Sequence, residues 1–540
     1  MTEPSASQHP RRRRWAPKVR TGCSTCRLRR VKCDETKPSC LKCTTTGRRC
    51  DGYAYGLHPA VAAKPATTGI VQPAVKITPP QVDATREEIE LFHYFRVVVS
   101  GQITGAFDEM SWTDNLLQAI QQQPAIWSAC IAASALHRVY IDMPTMKTTV
   151  ASQRDSLYLM GLKQYHSSLK HIISITQQDI VSLDEQLSIL TANLLFLALS
   201  WYRGDMVEGF NHLCNGMMLI AQWRLLPLLL ESDGSRQNSL LPAESLLLTY
   251  MRADNSTMPS RDADKSVLDT IVIPPAVSSK DFASPSDAYF ELEFLWNAVL
   301  KITRKTSLSS EQADQGPTPD ILYTFRPVSQ RWGEKLMRFK NSNDYLETYM
   351  ESIVALKVRH AFIEVLLSLD LNASELGWDA FDKSFSNIVE LAETLAKRLE
   401  AYISSKQSRS GPASNIVRLA ASMTDALGHV AWRCRNYRIR HRALDIIQRI
   451  QIKHYPTDNT VLAKISVALV MEEESIWAHP ETNGCGCVPR SSICLRHRIV
   501  YSRIQWAADG DFLLFLRTMD DISNNRPARS VNVMQWTKAM

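Results

Sequence analysis

No stretch of this 540-residue chain offers the roughly 20 clean apolar residues that a membrane-spanning helix needs. The two most apolar runs, 189–202 and 216–230, are interrupted by Asn193 and Arg224, so no membrane partner is expected. The opening MTEPSASQHPRRRRW lacks an apolar h-region, and no secretory signal is expected from it. Without an oxidising compartment a disulfide framework has no basis, and the sequons at Asn255 and Asn372 read as accidents. A Gly-rich phosphate loop, a G-x-S-x-G elbow and an H-E-x-x-H pair are all missing, so an enzyme is not expected. Strand signals are scarce, with a single late candidate at 511–517. What remains, at 45% hydrophobic and 22% charged residues, is ordinary globular composition and enough chain for about three domain-sized units.

Charge and cysteine are both placed unevenly. The chain carries a net +7, yet residues 1–52 hold 14 Lys/Arg against four acids, leaving 48 bases and 51 acids for the rest. A small basic head on a slightly acidic body points to an anionic polymer as the head's partner. Six of the 12 cysteines fall between positions 23 and 50. Residues 1–22 read as a disordered basic arm and 23–50 as the cysteine domain. Residues 51–85 form a linker, since the 33 residues from position 53 contain five prolines and seven alanines, which rules out a continuous helix. No heptad survives there to suggest a dimerisation coil. From Arg86 the pattern turns helical, and 86–540 reads as a mostly α-helical body with linkers near 226–290 and 305–325. Helices are expected at 86–99, 126–136, 189–199 and 461–476, and around the stripe Ile439, Ala443, Ile447 and Ile450.

The spacing of the first six cysteines is Cys23-x2-Cys26-x6-Cys33-x6-Cys40-x2-Cys43-x6-Cys50, a C-x2-C-x6-C unit used twice. A C-x2-C pair sets two sulfurs on one tetrahedral ion, and two separate four-thiolate sites would need eight cysteines. Six suffice when two are shared between two zinc ions, a solution that the duplication favours. One zinc with two spare thiols, a redox pair and a disulfide knot are the blander readings. Leu28, Val31 and Leu41 are the only core candidates in this stretch, so metal must supply most of its folding free energy, on the order of 10–16 kcal/mol for a structural zinc. Arg27, Arg29, Arg30 and Lys32 give the first half a dense basic face, and a short helix after Cys23 would carry it into a DNA major groove. Arginine reaching guanine O6 and N7 is the commonest specific base contact there.

The run TGCSTCRLRRVKCDETKPSCLKCTTTGRRCDGY resembles the fungal-type Zn(2)-C6 binuclear cluster family of transcription factors. The resemblance implies two zinc ions bridged by Cys23 and Cys40, with Cys26 and Cys33 completing one site and Cys43 and Cys50 the other. It implies that Pro38 turns the loop between the halves. It implies that Arg29 and Arg30 read a CGG triplet of double-stranded DNA, while Arg27, Lys32, Lys42, Arg48 and Arg49 suit phosphates, which position without specifying. The basic run Arg11, Arg12, Arg13 and Arg14 reads as a nuclear localisation signal, a phosphate-binding arm or solubilising charge.

In the body, ELFHYFRVVVSGQITGAFDEMSWTDNLL, PAIWSACIAASALHRVY, ILTANLLFLALSWYRGDMVEGFNHLCNGMMLI and AWRCRNYRIRHRALDII resemble the fungal-specific regulatory region of such factors. The fold expected is thus a small metal-stabilised binuclear zinc cluster, a linker and a large, mostly all-α regulatory domain. The resemblance implies a nuclear regulator of RNA polymerase II genes, an activator more readily than a repressor, serving one pathway such as a secondary-metabolite gene cluster. Coactivators and a homodimer through the body are its expected protein partners. A repressor or architectural DNA binder is one rival reading, and a zinc enzyme or metal-sensing scaffold is another. The arginines 433, 435, 438, 440 and 442 read as the wet face of an amphipathic helix rather than a second nucleic-acid patch. Residues 471–477 read as a coactivator contact or a helix end, and His137 and His212 as satisfied helical histidines. His479, Cys485, Cys487, Cys494 and His497 either hold a further zinc or cluster by accident, which total zinc per chain would decide.

Overall fold

A Thr85-x-x-Glu88 capping box opens the body: the Thr85 hydroxyl accepts the Glu88 N–H while the Glu88 carboxylate accepts the Thr85 N–H at 2.8 Å. The computed structural model describes residues 23, 25–26, 29, 31–36, 39–46 and 50, and residues 84–533 apart from 104–106, 108–115, 117–118, 121, 143–150, 226–242, 258–278, 310–319, 343–345, 371–374, 405–421, 451–458, 479–484 and 507–511. Contacts divide the chain into two compact units, Met1–Lys76 and Ile77–Met540. Among the described residues of the first, Leu41–Thr44 form a short helix, α1.

The body is built from helices packed around two large cores. Helix α2 (Arg86–Tyr94) runs into a π-helical turn, Phe95–Val99, and buries Leu91, Phe92, Phe95 and Val99. Proline at the first turn starts α3 (Pro124–His137), whose Ala-rich body is buried from Ala125 to His137. Helix α4 (Ala151–Thr176) packs along α3. A Ser182–Glu185 capping box starts α5 (Leu183–Tyr202), which is apolar nearly all round and is buried accordingly. Asp205 caps α6 (Met206–Gln222), and α7 (Ala243–Thr257) completes this group around the first core.

Helices α8 (Pro285–Ser309), α9 (Arg326–Ser342), α10 (Leu346–Ser368), α11 (Asp382–Ser404), α12 (Thr424–Arg433), α13 (Tyr437–Arg449) and α14 (Asn459–Glu474) enclose the second core. Helix α8 serves both cores, because Phe294 faces the first while Leu295 and Trp296 face the second. Buried polar groups fix the register between elements: Lys301 meets Asp254 at 2.8 Å with both side chains fully enclosed, and Arg359 binds Glu293 and Asp425. Asn255 donates to Glu293 inside the same network, so its sequon is out of reach of any modifying enzyme; Asn372 lies outside the described residues.

Gly216 of α6 faces the ring of Tyr250. A Cβ there would sit 2.3 Å from Tyr250 Cε1 and 2.6 Å from its hydroxyl. The ring cannot retreat, because that hydroxyl lies 2.8 Å from the Leu190 carbonyl and 2.7 Å from Asn193 Oδ1. Gly216→Ala is therefore expected to destabilise the first core by about 1–3 kcal/mol, outweighing the gain in helix propensity. A lower thermal midpoint of the full chain checks this, and an unchanged or higher one refutes it.

Several expectations from sequence need correction. The expected linkers near 226–290 and 305–325 contain α7, the first turn of α8 and a helical turn, Asp320–Tyr323. Among the described residues the single late strand is one of three. Strands β1 (Ile499–Trp506), β2 (Phe512–Thr518) and β3 (Arg529–Asn532) form an antiparallel sheet in that order. Ile504, Leu514, Leu516 and Val531 line its inner face against Ile465, Ala468 and Leu469 of α14, a small third core. The arginine run is a wet face only in part: Arg438 and Arg442 are exposed, but Arg435 and Arg440 are buried, and both bind the carboxylate of Glu473. The stripe itself is correct, with Ala443, Ile447 and Ile450 buried and Ile439 partly so. Residues 471–477 are a helix end whose Glu472 and Glu473 face inward, which removes them as an exposed coactivator motif. His137 is buried with Nδ1 2.8 Å from the Tyr94 hydroxyl, and His212 packs against Phe196.

Candidate metal centre and nucleic-acid interface

The interior of the head is made of sulfur. Cys23, Cys26, Cys40 and Cys43 are fully buried, whereas Val31 and Leu41 are 43% and 57% exposed. Two of the three apolar core candidates thus contribute no core, and the third, Leu28, lies outside the described residues. The four sulfurs form a compact set. Cys23 Sγ lies 3.6 Å from Cys40 and 3.8 Å from Cys43; Cys26 Sγ lies 3.6 Å from Cys40 and 3.8 Å from Cys43. Sulfurs on one tetrahedral zinc, bonded at about 2.3 Å, stand about 3.8 Å apart. Cys33 and Cys50 are half-buried against this set, and the Cys33 sulfur accepts the N–H of Cys23 at 3.5 Å and of Glu35 at 3.4 Å.

Burial pushes the Cys23 thiol up to about 12 and raises Cys26 and Cys40 as well. Such thiols give up their protons to a cation in their midst, which stabilises the thiolates that burial disfavours. Among the described residues no disulfide joins the cysteines, and the buried sulfurs of the head stand 3.6–3.8 Å apart, too far for an S–S bond. The donor set fits zinc: soft sulfurs at tetrahedral separations, with no room for a substrate between them.

Asp34 organises the loop between the two halves. Its Oδ1 accepts the N–H of Leu41 at 3.0 Å and of Thr36 at 3.2 Å, and its Oδ2 accepts the N–H of Lys42 at 2.8 Å. The Thr36 hydroxyl adds a further short bond, and the carboxylate is held well below its ordinary range, first by that hydroxyl. It ties the second C-x2-C pair to the first half from outside the ligand set. Sequence reasoning missed this residue, although an Asp two residues before a Thr is an Asx-turn signal.

Of the expected DNA contacts, Lys32 and Lys42 are exposed on the head. Arg29 reaches across to the second half, with Nη1 3.5 Å from the Lys42 carbonyl and 3.3 Å from Thr46 Oγ1. Arg27, Arg30, Arg48 and Arg49 lie outside the described residues, as do Pro38, the arm with Arg11–Arg14 and residue 479.

A sulfur-cored head with a basic first half, ahead of a helical body, is the build of a metal-dependent regulator of transcription. The family model described as the fungal Zn(2)-Cys(6) binuclear cluster domain matches residues 21–55, and that of the fungal specific transcription factor domain matches residues 90–323. The two matched domains are those of fungal Zn(2)-C6 transcription regulators, which are transcription factors rather than enzymes, and the cluster domain is of the kind that binds two zinc ions. It is 25% identical over 410 residues to the Aspercryptin biosynthesis cluster-specific transcription regulator atnN of Emericella nidulans, covering 70% of this chain and 64% of that one. Transcription regulator lscL of Purpureocillium lilacinum is 26% identical over 246 residues, 42% of this chain and 54% of that one. The transcriptional regulatory protein moc3 of Schizosaccharomyces pombe is 46% identical over 70 residues, 13% of each chain. The matched parts span less than two thirds of these relatives' lengths. No solved structure matches the chain. Among the described residues, no helix is long and apolar enough to cross a membrane.

Proposed function

We propose that the head reads a CGG-like triplet in double-stranded DNA and that the body uses this address to activate the genes of one biosynthetic pathway in the nucleus. The observation that carries the reading is the sulfur-cored head, whose sequence sets Arg27, Arg29, Arg30 and Lys32 between Cys26 and Cys33. In this reading Cys23 and Cys40 bridge the two ions, which their 3.6 Å separation supports. The close approach of Cys26 and Cys43, at 3.8 Å, does not follow from that sharing. Residues 23–50 are the reader, 51–85 the linker and 86–540 the regulatory body, which homodimerises and receives coactivators. Arg11–Arg14 direct nuclear import. The name of the Emericella relative supports the pathway-specific role.

Arg29 and Arg30 reach the bases in this reading. The two long bonds that Arg29 makes within the head are worth about 1 kcal/mol each at most, less than a bidentate guanine contact returns. Arg27, Lys32, Lys42, Arg48 and Arg49 hold phosphates. Fluorescence anisotropy at physiological salt, with the full chain on a CGG duplex and on one with the triplet scrambled, tests the address. Arg30→Ala is expected to lose about 1–3 kcal/mol of discrimination, whereas Arg49→Ala weakens both duplexes alike and lowers the salt slope by about one. Equal binding of the unaltered protein to both duplexes sinks the triplet reading. A reporter driven by residues 86–540 gives the sign, and repression there would favour the repressor reading.

A further inference from the structure

Far from the head in sequence, a second set of metal donors converges. Cys485, Cys487, Cys494 and His497 bring three sulfurs and one ring nitrogen within 4.8 Å of one another. His497 Nδ1 lies 3.4 Å from Cys487 Sγ and 3.2 Å from Cys494 Sγ. On a tetrahedral zinc, with bonds of about 2.3 Å to sulfur and 2.0–2.1 Å to nitrogen, such donors stand about 3.5 Å apart. The two nitrogen–sulfur separations are thus close to those of a tetrahedral zinc site, and all four donors lie within reach of one ion.

The backbone is shaped to present them. Cys485 and Cys487 precede a tight turn closed by a bridge between Val488 and Ser492, whose N–H groups reach each other's carbonyls at 3.0 and 2.9 Å. Cys494 follows the turn, and its N–H donates to Cys487 Sγ at 3.3 Å, which fixes the two sulfurs side by side. A 3-10 turn, Leu495–His497, then sets the imidazole three residues beyond Cys494. The loop buries little apolar surface: Ile493 is buried but Val488 is 51% exposed.

We propose that Cys485, Cys487, Cys494 and His497 bind one structural zinc ion, a third for the chain. Three thiolates and an imidazole select zinc over the hard cations magnesium and calcium. The four protein donors fill the tetrahedron, so no position is left for substrate and the ion's role is to fix structure. What it fixes is the entry to the sheet. Immediately after the last ligand, Arg498 binds Asp379 at 2.6 Å and the Glu375 carbonyl at 2.7 Å, and β1 begins at Ile499. Arg496 binds Asp520 at 2.9 Å, beyond β2. The ion thus clamps the loop from which the small third core is hung. It does so without reference to the DNA-reading head.

Zinc per chain, measured by elemental analysis on full-length protein purified without chelator, tests the assignment. Three ions are expected in the unaltered protein, one in Cys23→Ser/Cys40→Ser and two in Cys487→Ser/Cys494→Ser. A Cys23→Ser/Cys40→Ser protein that retains no zinc overturns the proposal. Because that variant isolates the C-terminal site, a faulty reading of the head shows separately, as a wrong count in the unaltered protein. Should Cys487→Ser/Cys494→Ser fail to fold, cobalt(II) added to Cys23→Ser/Cys40→Ser decides: thiolate-to-cobalt absorption with intense tetrahedral d–d bands is expected. A spectrum without them, or a disulfide joining two of Cys485, Cys487 and Cys494 in freshly purified protein, overturns it.

Discussion

Cys23→Ser or Cys40→Ser is expected to remove both zinc ions from the head and to reduce DNA binding to background. Each of these two cysteines is proposed to bridge the ions, so one substitution opens both coordination shells. Among the described residues of the head nothing else compensates: the buried side chains are those of cysteines, and Val31 and Leu41 are turned to solvent. A structural zinc contributes on the order of 10–16 kcal/mol, far above what so small a unit gains from apolar burial. Cys50→Ser removes a ligand assigned to one ion and should cost only that ion. The check is zinc content together with anisotropy on a CGG duplex, for all three variants of the full chain. Zinc falls by two for the bridging cysteines and by one for Cys50, and far-UV helicity stays, because the body carries its own cores. If Cys40→Ser loses a single ion and still binds DNA, the bridging roles belong to other cysteines. Asp34→Ala, which keeps all six sulfurs, should weaken the head less than any of these.

The head was legible because its fold is written in spacing. Six cysteines at fixed intervals suggest a ligand set directly, and four of their sulfurs converge, although the meeting of Cys26 with Cys43 is not what the implied pairing calls for. Most long helices were legible from apolar periodicity, since α3 and α5 are buried on nearly every side. The sheet was harder. The dipeptide Asp509-Gly510 stands between β1 and β2 and was available as a hairpin signal, but β1 mixes Arg503 and Gln505 into its outward positions and reads weakly alone. The C-terminal zinc donors were visible as residue types, while their convergence needed the turn that brings Cys494 back to Cys487. The arginines were misread for a different reason. Residue type puts arginine outside by default, and the carboxylate that brings Arg440 inside lies 33 positions away, on another helix.

That carboxylate is where the body is most exposed to a single change. Glu473 is buried on α14 and faces Arg435 at 2.9 Å, Arg440, and the N–H of Ile499 at 2.8 Å, the first residue of β1. It therefore joins the segment before α13, α13 itself and the sheet through one group. Glu473→Gln keeps the shape but takes from two buried guanidinium groups the charge they share, leaving Arg435 with Glu375 and Arg440 with Glu474; breaking a buried pair costs about 3–5 kcal/mol, and these second partners set the loss at the lower end of that range. Exchanging a surface pair such as Arg86–Glu90, which is well exposed, should cost under about 1 kcal/mol. Because the body holds several cores, the effect is best read locally, by hydrogen exchange of the β1 amides, which should speed up by about 10²- to 10³-fold in Glu473→Gln. Acid should reproduce the loss. Burial alone would raise the Glu473 carboxyl, but Arg435 and Arg440 outweigh it and hold the group at about 2, against an ordinary 4.5. A carboxyl lowered on folding stabilises above its unfolded value and loses that contribution as pH falls through the folded one. The protection that separates the unaltered protein from Glu473→Gln is thus expected to be constant above about pH 5 and to vanish between about pH 4.5 and 2. A β1 exchange rate that changes less than about threefold on substitution would mean that the two arginines find other partners and that the sheet is held by its apolar face alone.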